Sequence, residues 1–372
     1  MAEDKVYEFS APGRVEIGGN HTDHQHGQVL AAAIDLATNA SVCKNDDGVI
    51  RVFSQGYDPV EVYINDLGLH EAEKNTTAAL VRGVSAAFAQ RGCPISGFDA
   101  RVSSTVLPGS GLSSSAAFEV LMGRIINGLY FENKLSPVEI AQIGQYAENV
   151  YFGKPCGLMD QTASSVGGMV YIDFKNTQAP IVERVEYDFD SCGYTLCIVD
   201  SGADHAGLTE AYAAIPEELH KVCGVFGKEY LRDVDEAEFY SRLPEVRAAA
   251  GDRAVLRAMH IFDDNRRVAE QAEALKNGRF DSFLRLVNES GDSSWEYLQN
   301  VIPSGSSEHQ EMALTIAICK KLLNGRGAVR VHGGGFAGTV LAFVPNGEFD
   351  AFRERLESIL GSGCCQRLSI TV

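Results

Sequence analysis

The chain has 372 residues, 45% of them hydrophobic and 22% charged, the composition of an ordinary globular protein of about two domains. Fifty acidic against 32 basic residues leave a net charge of -18, which excludes a broad electrostatic grip on nucleic acid or anionic lipid but not a single bound phosphate group. No apolar run approaches the roughly 18 residues of a bilayer helix, Glu3 and Asp4 stand where a signal peptide would be basic, and nine irregularly spaced cysteines read as thiols of a reduced compartment, so a cytoplasmic protein without a membrane span is expected.

The first informative segment is Ala11-Pro-Gly-Arg-Val-Glu-Ile-Gly-Gly-Asn-His-Thr-Asp23, followed by His24, Gln25 and His26. Its density of glycines and short polar side chains suits reading sugar hydroxyls better than simple connection, and better than a transition-metal site at the three histidines. Alternation from Phe98 to Val106 predicts a half-buried strand that runs into a loop, Leu107-Pro-Gly-Ser-Gly-Leu-Ser-Ser-Ser-Ala-Ala117. Ala117, Leu121, Ile125 and Leu129 then form one stripe of a helix. A glycine-rich loop between strand and helix lets the backbone approach a ligand closely, while first-turn N–H groups and serine hydroxyls face it, and phosphate is the natural guest. The loop has no lysine of its own, so phosphoryl transfer here calls for a cation from elsewhere, such as Mg2+ on the Ser115 hydroxyl and one carboxylate.

Ser136, Pro137 and Glu139 announce a second helix, expected to run to about Gly153. After it, Gly153-Lys-Pro-Cys-Gly-Leu-Met-Asp-Gln-Thr-Ala163 holds Asp160 beside an apolar Leu-Met pair. Two readings of Asp160 stand: a helix N-cap, or a carboxylate shielded from water that can take a proton from a hydroxyl. Strands are expected at 168–174 and 194–200, with the polar stretch from Lys175 to Tyr187 between them as a domain boundary. Helix patterns dominate the second half, which closes on a strand, the turn His332-Gly-Gly-Gly-Phe336 and another strand. Strands and helices are mixed rather than strictly alternating, so an α+β fold is expected, divided into domains at 1–190 and 191–372.

In order and spacing these segments resemble the GHMP family of small-molecule kinases and, within it, the galactokinases. The family signature P-G-R-V-N-L-I-G-E-H-T-D is matched by PGRVEIGGNHTD from Pro12 to Asp23, and the phosphate motif by PGSGLSSSAA. CGLMDQ (Cys156 to Gln161) matches the catalytic aspartate segment, and RVHGGGFAGT (Arg330 to Thr339) is similar to the C-terminal glycine motif. The resemblance implies a two-domain α+β fold, with a mixed-sheet N-terminal domain and a ferredoxin-like C-terminal one, and ATP-dependent phosphorylation of galactose at C1. It implies that Asp160 acts on the anomeric hydroxyl as base or charge stabiliser and that Arg14 stabilises the transferring phosphoryl. Gly109, Ser110, Gly111, Leu112, Ser113, Ser114 and Ser115 would cradle ATP, and Ser115 with Glu148 would hold Mg2+. Asn20, His21, Thr22, Asp23, Gly157 and Tyr212 would meet the sugar. The implied partners are small molecules, a sugar and ATP, to a monomer or weak homo-oligomer.

Three departures bear on the substrate. Asn20 stands where the family signature has glutamate, and His24-Gln25-His26 replaces the usual Tyr-Asn-Gly. Asp204 precedes His205 where a base is usual, and Ile215-Pro216-Glu217 replaces a basic pair after Tyr212. They keep open a kinase for a related sugar (arabinose, a galactosamine derivative or a uronic acid) and a non-catalytic sugar sensor beside the galactose reading.

Overall fold

The computed structural model describes residues 5–106, 111–189, 191–204 and 207–371, so Gly109, Ser110 and His205 lie outside the described residues. The fold is α+β, as the sequence predicts. Backbone contacts divide the described residues into two units. One takes those up to Arg14 together with Ala33–Gly167, and the other Val15–Ala32 together with Gly168–Thr371.

The first unit holds most of β1 (Val6–Gly18) and β2 (Gln28–Lys44), then β3 (Val49–Ser54), β4 (Val60–Tyr63), α1 (Thr77–Gln90), β5 (Phe98–Ser104), α2 (Ser114–Tyr130), α3 (Pro137–Tyr146) and α4 (Met159–Val166). Its strand order is β4-β3-β5-β2, with β1 also on β2. The sheet is mixed: β3 runs parallel to β5, while Thr38 to Lys44 of β2 pair antiparallel with Ser104 to Phe98. The alternation read from Phe98 onward is the pleat of β5, whose Phe98, Ala100 and Val102 are buried under the helices with Phe88, Leu121 and Ile140. Helix α3 starts as its sequence requires: Ser136 Oγ accepts from Glu139 N–H, Glu139 accepts back from Ser136 N–H, and Pro137 is the first helical residue. It runs on into a π-helical turn, Ala147–Phe152, which ends at left-handed Gly153. Wide turns of this kind re-aim side chains, and this one carries Glu148.

The second unit holds β6 (Met169–Asp173) and β7 (Ile181–Arg184) beside Gln28 to Ala32 of β2, then β8 (Tyr194–Asp200). After β8 come α5 (Thr209–Val225), α6 (Glu236–Ser241), α7 (Leu243–Ala250), α8 (Asp252–Lys276), α9 (Phe280–Ser293) and α10 (Glu311–Leu323). The chain closes with β9 (Ala328–Val331), β10 (Thr339–Pro345), α11 (Phe349–Leu360) and β11 (Cys365–Leu368). The antiparallel sheet β11-β8-β10-β9 takes its strands in the order fourth, first, third, second. That is the split β-α-β arrangement of a ferredoxin-like domain, whose two helices are α10 and α11, with α5 to α9 inserted after its first strand. Two features differ from the expectation. The polar stretch 175–187 contains β7, an edge strand of four mostly exposed residues whose side chains give no apolar alternation. The contacts divide the chain after Gly167 rather than at 190, and 15–32 joins the second unit, because β6 closes its ladder on the start of β2.

Candidate active site

The phosphate loop meets helix α2 at Ser113, whose backbone is left-handed (φ 57°, ψ 65°), a conformation that costs a non-glycine residue energy and that recurs at functional sites. Its hydroxyl makes no cap to the helix; it donates instead to Asp160 Oδ2 at 2.7 Å. The first-turn N–H groups of α2 have no acceptor within the helix, and the Ser113 side chain does not cap them. Asp160 is not an N-cap either. It is the second residue of α4, whose cap position is Leu158, and its carboxylate takes both arms of Arg14, Nε to Oδ1 and Nη2 to Oδ2, each 2.7 Å. The third arm of Arg14, Nη1, donates to Gly111 O at 2.6 Å, and its backbone N–H donates to Leu112 O at 3.1 Å. Arg14 thus fixes the carboxylate and the described end of the loop together. Gly13 permits this approach, since a Cβ there would stand 3.1 Å from Leu112 O and from the Val106 side chain.

Burial by itself would raise the Asp160 pKa. The Arg14 charge, its hydrogen bonds and that from Ser113 outweigh burial and hold the carboxyl below the usual carboxylate range. Asp160 is thus an ionised acceptor, with its side chain 29% exposed while that of Arg14 is only 8% exposed.

Behind it lies a second carboxylate group. Gln161 Nε2 donates to Glu119 Oε2 and to Glu148 Oε2, both at 3.0 Å, and Lys154 Nζ donates to Glu148 Oε1 at 3.2 Å. Glu119 and Glu148 are buried, and burial followed by the Glu148 charge pushes the Glu119 carboxyl well above the usual range. Glu119 Oε1 and Gln161 Oε1 are buried without a hydrogen-bond partner. Ser115 lies one turn before Glu119, on the same face of α2. Ser114 and Ser115 also line a cavity of about 600 Å³, with Tyr57, Leu80, Val102 and Phe118 among its walls. Neither Glu119, Gln161 nor this cavity was predicted. Glu119 repeats Ser115 at helical spacing and Gln161 follows Asp160, but nothing local marks either as functional.

Of the residues expected at the sugar, Gly157 lies in the first unit and the others in the second, most of them engaged with protein. Asn20 is fully buried: Nδ2 donates to Glu16 Oε1 (3.0 Å) and Gly333 O (2.7 Å), and Oδ1 accepts from Ser294 Oγ (3.2 Å) and Asn300 Nδ2 (2.7 Å). An amide so occupied has no hydrogen bond left for a ligand in this conformation. The Thr22 hydroxyl, also buried, donates within its own turn to Gly19 O and Gln28 O. His21 Nε2–H reaches Gly334 O at 2.9 Å, and the Tyr212 hydroxyl donates to Gly335 O at 2.7 Å. Asn20, His21 and Tyr212 therefore hold three successive carbonyls of the glycine motif. Asp23 is partly exposed and accepts from His24 N–H, while Gly157 is half-buried in the loop ahead of α4. His24 is exposed, His26 stacks on Tyr230 at 3.5 Å, and Gln25 Oε1 accepts from Leu231 N–H, so these side chains diverge. Among the described residues no group of three or more His, Cys, Asp or Glu could hold a metal.

The turn is anchored from α8. His260 Nε2–H donates to Asn20 O at 3.0 Å, and Asp264 Oδ2 accepts from Asn20 N–H at 2.9 Å. Burial lowers the pKa of His260 despite Asp264, and burial with the neighbouring His24 lowers His21 to about 3. Both native values lie below the unfolded value of 6.5, so the unfolded chain takes up these protons first. Stability is then complete above about pH 6.5 and falls as pH drops towards the native values. Urea unfolding across this range should show the decline, and His260→Gln should flatten it; an unchanged slope in the variant would remove His260 as a cause.

The model of the GHMP kinases N terminal domain matches residues 78–168, and the galactokinase galactose-binding signature matches residues 2–44. A galactokinase of Glaesserella parasuis serovar 5 (strain SH0165) is 33% identical over 352 residues, 92% of this chain and 86% of that protein. One of Haemophilus influenzae is 32% identical over 362 residues, 95% and 88% of the two chains. Among solved structures, a Lactococcus lactis galactokinase complexed with galactose aligns with a TM-score of 0.83 at 23% identity over 99% of this chain and 94% of that one. A mevalonate kinase aligns at 0.69 and 15% identity over 98% and 99%. The fold and the serine-rich start of α2 beside an Arg–Asp pair are thus found in a chain whose first unit matches the GHMP kinases. Within that class, the chain belongs to the galactokinase family.

Proposed function

We propose that the chain transfers the γ-phosphoryl group of ATP to the C1 hydroxyl of D-galactose. The observation that carries this reading is the Arg14–Asp160 pair, locked by Ser113 to the N-terminus of α2. Asp160, ionised and doubly held by Arg14, is a weak base towards the free sugar. It orients the C1 hydroxyl and accepts its proton as the new O–P bond forms and the bond to the ADP oxygen breaks, late in a loose transition state. Arg14 balances the charge that gathers on the transferring group, and the first-turn amides and hydroxyls of α2 hold the phosphates. The 600 Å³ cavity beside Ser114 and Ser115 has the size and mixed lining of a site for the nucleoside.

A hard divalent cation fits this chain on one observation in particular. Two buried carboxyls share one amide nitrogen, with buried oxygens of Glu119 and Gln161 still unpartnered. The Ser115 hydroxyl and the Glu148 carboxylate would hold Mg2+, which when bound neutralises phosphate charge. Asp23 and Gly157 are read as sugar contacts, whereas Asn20, Thr22 and, in part, His21 and Tyr212 shape the turn and glycine motif around the sugar.

The test is ADP release from ATP and Mg2+ over a sugar panel. Galactose should be turned over fastest. Preference for arabinose, a galactosamine derivative or a uronic acid would reassign the substrate, and galactose binding without turnover would leave a sensor.

A further inference from the structure

The buried Glu148 carboxylate has a counter-ion of its own. Oε2 accepts from Gln161, Oε1 accepts from the ammonium of Lys154 at 3.2 Å, and the backbone N–H groups of Gly153 and Lys154 both donate to Glu148 O. The Glu148 side chain is 4% exposed and that of Lys154 is 61% exposed. A carboxylate this deep needs a compensating charge, and Lys154 supplies it from a stem that lies largely in solvent and can swing away at little cost in packing. The position is fixed by local backbone: left-handed Gly153 turns the chain at the end of the π-helical turn, which sets Lys154 over the residue six positions before it. Arg14 cannot take this part, because its three arms are committed to Asp160 and Gly111.

We propose that Lys154 is a resident counter-ion that a divalent cation must displace from Glu148, so that this lysine sets how strongly the site takes up its metal. The inference rests on the reading of Glu148 as a cation ligand. An ammonium in hydrogen-bond contact with Oε1 and a dication on the same oxygen repel each other strongly, so the two states exclude one another. Lys154 is a positioning residue: its ammonium holds Glu148 Oε1 in place, and it would swing away when the metal binds.

The experiment measures acetylation of Lys154 by an N-hydroxysuccinimide ester, read by peptide mass spectrometry on the full chain with and without MgCl2 and without nucleotide. Exposed Lys228 serves as the internal reference. In the wild type, Lys154 should react slowly without Mg2+ and severalfold faster with it; in Glu148→Gln it should react fast in both conditions. Mn2+ binding followed by electron paramagnetic resonance gives the second readout. Lys154→Gln, at an exposed side chain, should bind Mn2+ more tightly than wild type, by roughly twofold to fivefold, the scale of one such ion pair. Labelling of Lys154 that is indifferent to Mg2+, or Mn2+ affinity unchanged or weakened in Lys154→Gln, overturns the proposal. If Glu148→Gln binds Mn2+ as well as wild type, the reading of Glu148 as a ligand fails and this inference fails with it. Loss of Mn2+ binding in Glu148→Gln with no effect of Lys154→Gln sinks the inference alone.

Discussion

Asp160→Ala is expected to lower kcat by about 10³-fold, the scale of losing a positioned proton acceptor together with its transition-state charge interaction. Nucleotide affinity should stay within about threefold of wild type, because the phosphate donors belong to α2 and not to this carboxylate. The substitution also strands Arg14, whose side chain is 8% exposed, so some loss of stability should accompany the loss of rate, roughly 1–2 kcal/mol after allowing for the exposed rim of the pair. Steady-state kinetics, nucleotide titration and a thermal melt on one preparation separate the three effects. A variant that keeps a tenth or more of wild-type kcat while folded would remove Asp160 from the chemistry.

Arg14→Lys should be nearly as damaging, about 10²-fold or more in kcat, although it preserves the charge. The guanidinium makes two parallel bonds to Asp160 and a third to Gly111 O. An ammonium is a single point charge and cannot span both sides, so the carboxylate loses its orientation and the loop its tie. Unlike Asp160→Ala, this variant should weaken nucleotide binding as well, because Gly111 and Leu112 lead into the first turn of α2. Isothermal titration with a non-hydrolysable ATP analogue decides the point. Wild-type affinity in Arg14→Lys would mean that the loop holds its shape without this residue.

Much of the site was legible because its logic is local. The Ser136–Glu139 capping box, the pleat of β5 and the serine-rich start of α2 each depend on residues a few positions apart, and each forms as read. Glycines 109 and 111 with three serines announce a phosphate loop for the same reason. Other features depend on contacts across the chain. Arg14 and Asp160 are 146 positions apart, and composition does not indicate that they pair or that Ser113 gives up its helix cap to join them. Asn20 and Thr22 carry the residue types of a sugar site, yet packing turns both inward, onto Glu16, Gly333, Ser294 and Asn300 for one and onto its own turn for the other. His260 and Asp264, which hold the backbone of that turn, sit in α8 with nothing nearby to set them apart from other buried polar residues of a long helix.

Taken alone, the sequence determined the α+β class, the capped start of α3 and a glycine- and serine-rich loop leading into α2, and left Asp160 open between a helix cap and a shielded carboxylate, because periodicity, capping and motif spacing are properties of neighbouring residues. The Arg14 partner that keeps that acid ionised and the inward turn of Asn20 were decided only by tertiary structure. Burial and the placement of opposite charges set those properties, and both arise when segments far apart in the chain pack together.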